Sequence, residues 1–174
     1  MSKRYNIPDK IHMANVYRDG NKLVGLSDEI TLPDFESMTE TMSGFGMLGE
    51  IESPTPGFFS AMELEIPFRT LADDMFDMYN PNVSVSLTIR AAQQVNDDSG
   101  NVNYEGLRVV VRGRPKGLTG GSVKQGSPTG SSIKLELSYI YIEYDSEPII
   151  ELDKFNSVFK VRGEDVLKKA RSLA

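Results

Sequence analysis

The chain has 174 residues, 39% of them hydrophobic, which suits a single domain with one modest core. It contains no cysteine, which excludes a disulfide framework, a thiolate nucleophile and any cysteine-ligated metal. Acidic residues outnumber basic ones by 25 to 19, and the formal charge of -6 opposes general binding to nucleic acid.

The start, Met1 to Pro8, is followed by no apolar run long enough for a signal peptide or a membrane span, so a soluble protein without membrane binding is expected. Ile11 to Tyr17 and Leu23 to Thr31 read as a strand pair joined through Arg18-Asp19-Gly20-Asn21, where Asp-Gly favours a tight hairpin turn. From Thr39 to Ser60 the pattern breaks. Gly44, Gly46, Gly49 and Gly57, with Pro54 and Pro56, interrupt Phe45, Met47, Leu48, Ile51, Phe58 and Phe59. A long irregular excursion is expected there, and its apolar side chains suit an arm buried against another subunit; a loop folded back on its own core is the alternative.

Ala61 to Phe68 alternates as a half-buried strand whose end is marked by Pro67. Thr70 is the expected N-cap of a helix in which Leu71, Met75, Met78 and Tyr79 form one stripe, with Asp73 and Asp74 in the first turn and Asn80-Pro81 as the stop. Two strands follow, Val83 to Val95 and Leu107 to Arg114, linked by Asn96 to Asn101. Gly117 to Gly130 reads as a mobile small-residue loop. The next strand, Ile133 to Tyr144, places Ile133, Leu135, Leu137, Tyr139 and Tyr141 opposite Lys134, Glu136, Ser138, Ile140 and Ile142. The carboxyl end carries Ile149 to Phe159 and a short helix from Val166 to Arg171.

Motifs for chemistry fail on their context. Gly44-Phe45-Gly46-Met47-Leu48-Gly49 has dinucleotide-binding spacing, but prolines follow it where a helix amino terminus is needed. Gly121 to Gly126 has phosphate-loop spacing, yet Ser127-Pro128 replaces the required Lys and hydroxyl. His12 is the single histidine and reads as a strand-face residue. Asp73, Asp74 and Asp77 read as a solvated helix face, and Asn82-Val83-Ser84 as a glycosylation match without secretion to give it meaning. Arg108, Arg112 and Arg114 share one strand face; without interleaved aromatics they suit ion pairs with Asp or Glu of a neighbouring subunit better than phosphate contacts. No cofactor or metal site and no enzymatic activity is expected.

The order of several segments then carries a resemblance. They are Asn15-Val16-Tyr17-Arg18-Asp19-Gly20, Leu32-Pro33, Glu40 with Gly44 to Gly49, Val109 to Lys116, Lys124-Gln125-Gly126, Tyr139-Ile140-Tyr141, Ile150 to Asn156 and Val161 to Leu167. Together they make the chain, over nearly its whole length, similar to the major tail tube proteins of contractile-tailed phages. The resemblance implies a single domain over 1–174, mainly β, a two-sheet sandwich or barrel with one central helix and a short C-terminal helix. It implies six-fold rings whose sheets join into an inner β-barrel, stacked by the loop at 39–60 and enclosed by a contractile sheath. Implied partners are further copies of the chain, the tail sheath protein, baseplate and tail terminator proteins, the tape measure protein and DNA in transit. The implied location is the virion, after assembly in the bacterial host cytoplasm. Within such a tube, Ser84, Ser86 and Thr88, or Lys134, Glu136 and Ser138, are the candidates to line the bore. The alternative reading is a tube from a contractile bacteriocin or secretion-system-like particle that carries no genome. A small β-sandwich enzyme is the third reading, and the sequence offers it no cluster of titratable groups.

Overall fold

Alternating apolar and polar side chains dominate the chain, and the computed structural model, which describes residues 6–26 and 29–174, is accordingly mainly β. In chain order the strands are β1 (Ile7–Arg18), β2 (Asn21–Lys22), β3 (Ser37–Met42), β4 (Ile51–Phe59), β5 (Glu63–Phe68), β6 (Val85–Asn96), β7 (Val102–Thr119), β8 (Ser131–Tyr144), β9 (Glu147–Asp153), β10 (Val158–Val161) and β11 (Glu164–Asp165). The helices are α1 (Asp73–Met78) and α2 (Lys168–Leu173). Every strand pair is antiparallel. The main sheet has nine strands in the order β11-β10-β9-β8-β7-β6-β1-β2, with β5 also on β8, while β3 and β4 form a separate two-stranded sheet.

The expected first hairpin is present and its turn is dictated locally. Asp19 and Gly20 both have positive φ, 48° and 83°, which gives a two-residue turn matching the twist of the strands. Its second strand stops at Lys22, short of the expected Thr31. Leu23 donates its N–H to the Val16 carbonyl at 2.8 Å and then turns into the core, and Leu26 makes an isolated bridge to Phe68. Ser27 and Asp28, also within the expected strand, lie outside the described residues.

The central feature is β8. Its first half, Ser131 to Glu136, pairs with β5, its second half, Tyr139 to Tyr144, pairs with β9, and β7 runs along the other edge of both. The register with β7 slips by one residue between these halves: Gly113 faces Leu137 but Arg112 faces Tyr139, leaving Ser138 as the extra residue. One extra residue exchanges the two faces. Ile133, Leu135 and Leu137 therefore point into the core before the slip and Ile140 after it, whereas Tyr139 and Tyr141 turn outward. This corrects the uninterrupted alternation read from the sequence. Gly113 is required at the slip, because a Cβ there would lie 2.3 Å from the Glu136 carbonyl oxygen. A second slip leaves Lys116 unmatched in β7.

The core gathers Leu64, Ile66 and Phe68 of β5, Val85, Leu87 and Ile89 of β6, Val109 and Val111 of β7, the inward residues of β8, and Leu152 of β9. Met75 and Met78 of α1 close it, with Leu26, Ile30 and Phe35 packed against the same cluster. The helix starts later than expected, with Ala72 at the N-cap and no side-chain cap in place of Thr70. Six residues present only one narrow stripe, so Leu71 and Tyr79, which lie outside the helix, stay exposed. Two antiparallel sheets and two short helices match the expected class; the second sheet is the β3–β4 hairpin, which reaches the core through Phe59.

The slip at Ser138 carries a test in dispersed subunits. Gly113→Ala is expected to lower unfolding free energy by about 2 kcal/mol through backbone overlap, and Ile140→Ala by about 2–5 kcal/mol through cavity formation. Urea unfolding followed by circular dichroism reads both, and wild-type stability in either variant contradicts the assigned facing.

Candidate assembly surfaces

The segment expected to be irregular, 39–60, is instead mostly a β-hairpin, with β3 and β4 paired from Thr39 opposite Pro54 to Met42 opposite Ile51. Disruption of the apolar pattern by glycine and proline hid this pairing. Between Thr39 and Ser37 the register slips by several residues, so 55–58 bulge out opposite Met38, where Pro56 and Gly57 sit. Gly57 has φ 80°, and a Cβ there would come within 2.8 Å of Leu167, so the base of the hairpin packs closely on the carboxyl-terminal segment. Phe59 is also part of that base, with its ring edge-on to Phe35 at 6.0 Å and to Phe159 at 5.1 Å.

The tip spans 43–50 and is tightened by the Met47 N–H donating to the Gly44 carbonyl at 3.1 Å. Gly46 and Gly49 have φ of 88° and 129°, values that a side chain would strain. Phe45 and Leu48 project from this tip with relative exposures of 113% and 110%, as open to water as side chains on an extended peptide. Ile51 and Phe58 are exposed as well, and Met47 is half-buried. Strand β4, not a helix, follows Gly44 to Gly49, so the backbone that holds a dinucleotide pyrophosphate does not form there.

The face of the main sheet turned away from the core carries the other candidate residues. Ser86, Arg112, Tyr139 and Asp153 form one row across β6 to β9, and Thr88, Val110, Tyr141 and Glu151 form the next. Further along, Arg114, Glu136 and Glu63 form a row across β7, β8 and β5, beside Lys134 paired with Glu65. Ser84 and Ser138 flank these rows, their hydroxyls donating to the carbonyls of Gly113 at 3.3 Å and Arg112 at 3.2 Å. All six bore candidates thus share one surface. Three of its lysines face carboxylates: Lys134 lies 3.7 Å from Glu65, Lys116 lies 3.6 Å from Glu136 and also pairs with Glu63, and Lys160 lies 2.9 Å from Glu151. The Lys116 hydrogen bond and charge hold the Glu63 carboxyl below its ordinary value.

Arg108, Arg112 and Arg114 keep the shared parity read from the sequence but differ in surroundings. Arg108 lies 3.6 Å from Glu143 of its own chain and 5.6 Å over the Tyr141 ring. Arg112 sits 4.8 Å over the Tyr139 ring. These aromatics come from the neighbouring strand, past the slip at Ser138, which is why inspection of β7 alone missed them. Arg114 has no hydrogen bond, ion pair or ring contact among the described residues.

Two features were missed in the sequence. β2 covers only Tyr17 and Arg18, so among the described residues the edge of β1 from Ile7 to Asn15 opposite β6 has no strand partner, and Ile7, Ile11 and Met13 are exposed along it. Phe155, in the β9–β10 turn, is 80% exposed. His12 sits in β1 at a bulge, its ring 5.2 Å from Tyr104, as a strand-face residue. Asp73, Asp74 and Asp77 are exposed on α1, and Asp77 lies 3.9 Å from Arg18.

These surfaces belong to a chain with relatives of similar length. It matches the family described as phage tail tube protein FII along residues 8–173, from the first strand through α2. The tail tube protein of Escherichia phage P2 is 29% identical over 167 residues, covering 95% of this chain and 96% of that protein. The major tail tube protein of Serratia phage KSP20 is 23% identical over 160 residues, covering 92% and 91%. The chain therefore belongs to the phage tail tube protein FII family, and it is a structural subunit of a virion tail tube, not an enzyme.

Proposed function

We propose that the chain assembles into hexameric rings that stack as a hollow tube, a conduit for DNA inside a contractile sheath. The observation that carries this reading is the β3–β4 hairpin with Phe45 and Leu48 fully exposed at its tip. A folded chain gains nothing from holding two large apolar side chains in water at the end of a projecting hairpin, and contact with another copy removes them from it. The same logic applies to β1, whose unpaired edge is completed when a neighbour in the ring adds its own sheet. Rings built this way hide strand edges that in free subunits invite aggregation.

Charge supports passage of DNA rather than its capture. Six copies of a chain with formal charge -6 give a ring of -36, a field that repels phosphate. The surface with Ser84, Ser86, Thr88, Lys134, Glu136 and Ser138 suits the bore, since its lysine is matched by carboxylate and its hydroxyls are small. The tail sheath protein then covers the outside, the baseplate and tail terminator proteins cap the ends, and the tape measure protein occupies the bore before DNA.

Negative-stain microscopy of purified protein is expected to show tubes. Phe45→Asp combined with Leu48→Asp is expected to leave circular dichroism and the thermal midpoint unchanged while abolishing them, and tubes of wild-type length contradict a stacking role for the arm. A helical reconstruction is expected to put the Ser86 or Lys134 rows at the bore; both rows outside it contradict that orientation.

A further inference from the structure

Three arginines on the outer face of the main sheet each lie against a tyrosine of a neighbouring strand. Tyr17 faces Thr88, and Arg90, two residues along β6, reaches diagonally to bring its guanidinium 5.6 Å from the Tyr17 ring. Tyr141 faces Val110, and Arg108, two residues along β7, lies 5.6 Å from that ring by the same diagonal. Arg112 and Tyr139 face each other directly, at 4.8 Å. A ring face restrains a planar guanidinium and leaves its N–H edge free to donate.

Carboxylates do not balance these cations. Arg90 and Arg108 stand directly opposite on β6 and β7, a like-charge pair that costs stability. Among the described residues one carboxylate, Glu143 at 3.6 Å from Arg108, is within ion-pair distance of the two. Arg90 and Arg112 are exposed and have none. The nearby acids are already occupied: Glu143 also accepts the Tyr141 hydroxyl at 3.0 Å, Glu151 lies 2.9 Å from Lys160, and Asp153 accepts the Asn156 Nδ2 at 2.8 Å. Much of the acidic excess of the chain lies elsewhere, in Glu36, Glu40, Glu50 and Glu52 of the arm segment and Asp73, Asp74 and Asp77 of α1. An anion placed between Arg90 and Arg108, or against Arg112, therefore relieves repulsion and displaces no internal partner.

We propose that Arg90, Arg108 and Arg112 are the points at which the phosphate backbone of duplex DNA touches the wall of the bore, each guanidinium positioned by its tyrosine. The inference rests on the conduit reading with this face at the bore, and it names the contacts within that reading. Rings interleaved with the arginines, absent from β7 itself, come from β1 and β8. They already carry guanidiniums, so they serve as supports and not as platforms for unstacked bases, and the contact is with backbone, independent of sequence. Such contacts suit a duplex of any sequence in passage. Glu143, Glu151 and Asp153 interrupt the cations, and the net negative charge of the ring opposes prolonged binding, so the contacts guide the duplex without holding it.

Binding of a short fluorescein-labelled DNA duplex to assembled tubes at low salt, read by fluorescence anisotropy, tests this. Arg90→Gln with Arg112→Gln is expected to weaken binding at least about tenfold and to reduce the salt dependence of log affinity by about two. Tyr139→Phe is expected to bind as wild type and Tyr139→Leu about threefold more weakly, with circular dichroism and tube formation unchanged in both. Arg90→Gln alone, which removes the like-charge pair, serves if the double variant disturbs folding. Lys168→Gln with Lys169→Gln, on α2, is expected to change nothing. No binding by wild-type tubes, equal binding by the arginine variants, or an equal loss in the α2 variant overturns the contacts. Wild-type protein that never forms tubes overturns the tube reading instead, and the same comparison on dispersed subunits then decides the arginines.

Discussion

The extra residue at Ser138 is the constraint on which the rest of the architecture depends. Without it, β8 would carry Tyr139 and Tyr141 inward and Ile140 outward, and no single core could form along its length. With it, the first half of the strand joins β5 and the second half joins β9, and one strand serves two neighbours on the same edge. Gly113 makes room for the slip, since its missing Cβ lets the Glu136 carbonyl approach. The outward tyrosines then meet Arg108 and Arg112, so the same irregularity sets the character of the exposed face.

Consequences reach both assembly surfaces. The cavity beside Arg112 and Arg114 lies where the β7–β8 slip and the Asp153–Asn156 turn meet, and neither element alone would form it. The hairpin is anchored beside that cavity, through Lys154 on Ser60, and further through Phe59 on Phe159. Among the described residues, the apolar tip and the β1 edge from Ile7 to Asn15 find no partner within the chain, and these are the surfaces that the proposed assembly would cover.

Regular alternation made much of this legible in the sequence. The positions of β5, β6 and β8, the Asp19-Gly20 turn and the buried stripe of Met75 and Met78 all follow from period and turn chemistry. The slip at Ser138 was not legible, because a serine between Leu137 and Tyr139 fits unbroken alternation just as well; only the partner strand shows the step. Thr70 looked a better cap than Ala72, yet packing of Met75 and Met78 sets where the helix begins. In the arm, glycines and prolines mark the tip and the bulge correctly but disguise the strands between them. The exposure of Phe45 and Leu48 was foreseeable from apolar residues amid glycines, whereas the cavity beside Arg112 and Arg114 depends on residues from four separate segments and had no linear signal.

The central claim is that the free subunit holds surfaces that only other copies complete. Hydrogen–deuterium exchange compared between dispersed subunits and assembled tubes measures this at the backbone. The account expects new protection at the open edge of β1, from Ile7 to Asn15, and across the arm tip at 43–50, with little change in the amides of β6 and β7 that are already paired. Equal exchange in both states at the β1 edge and the tip would contradict it.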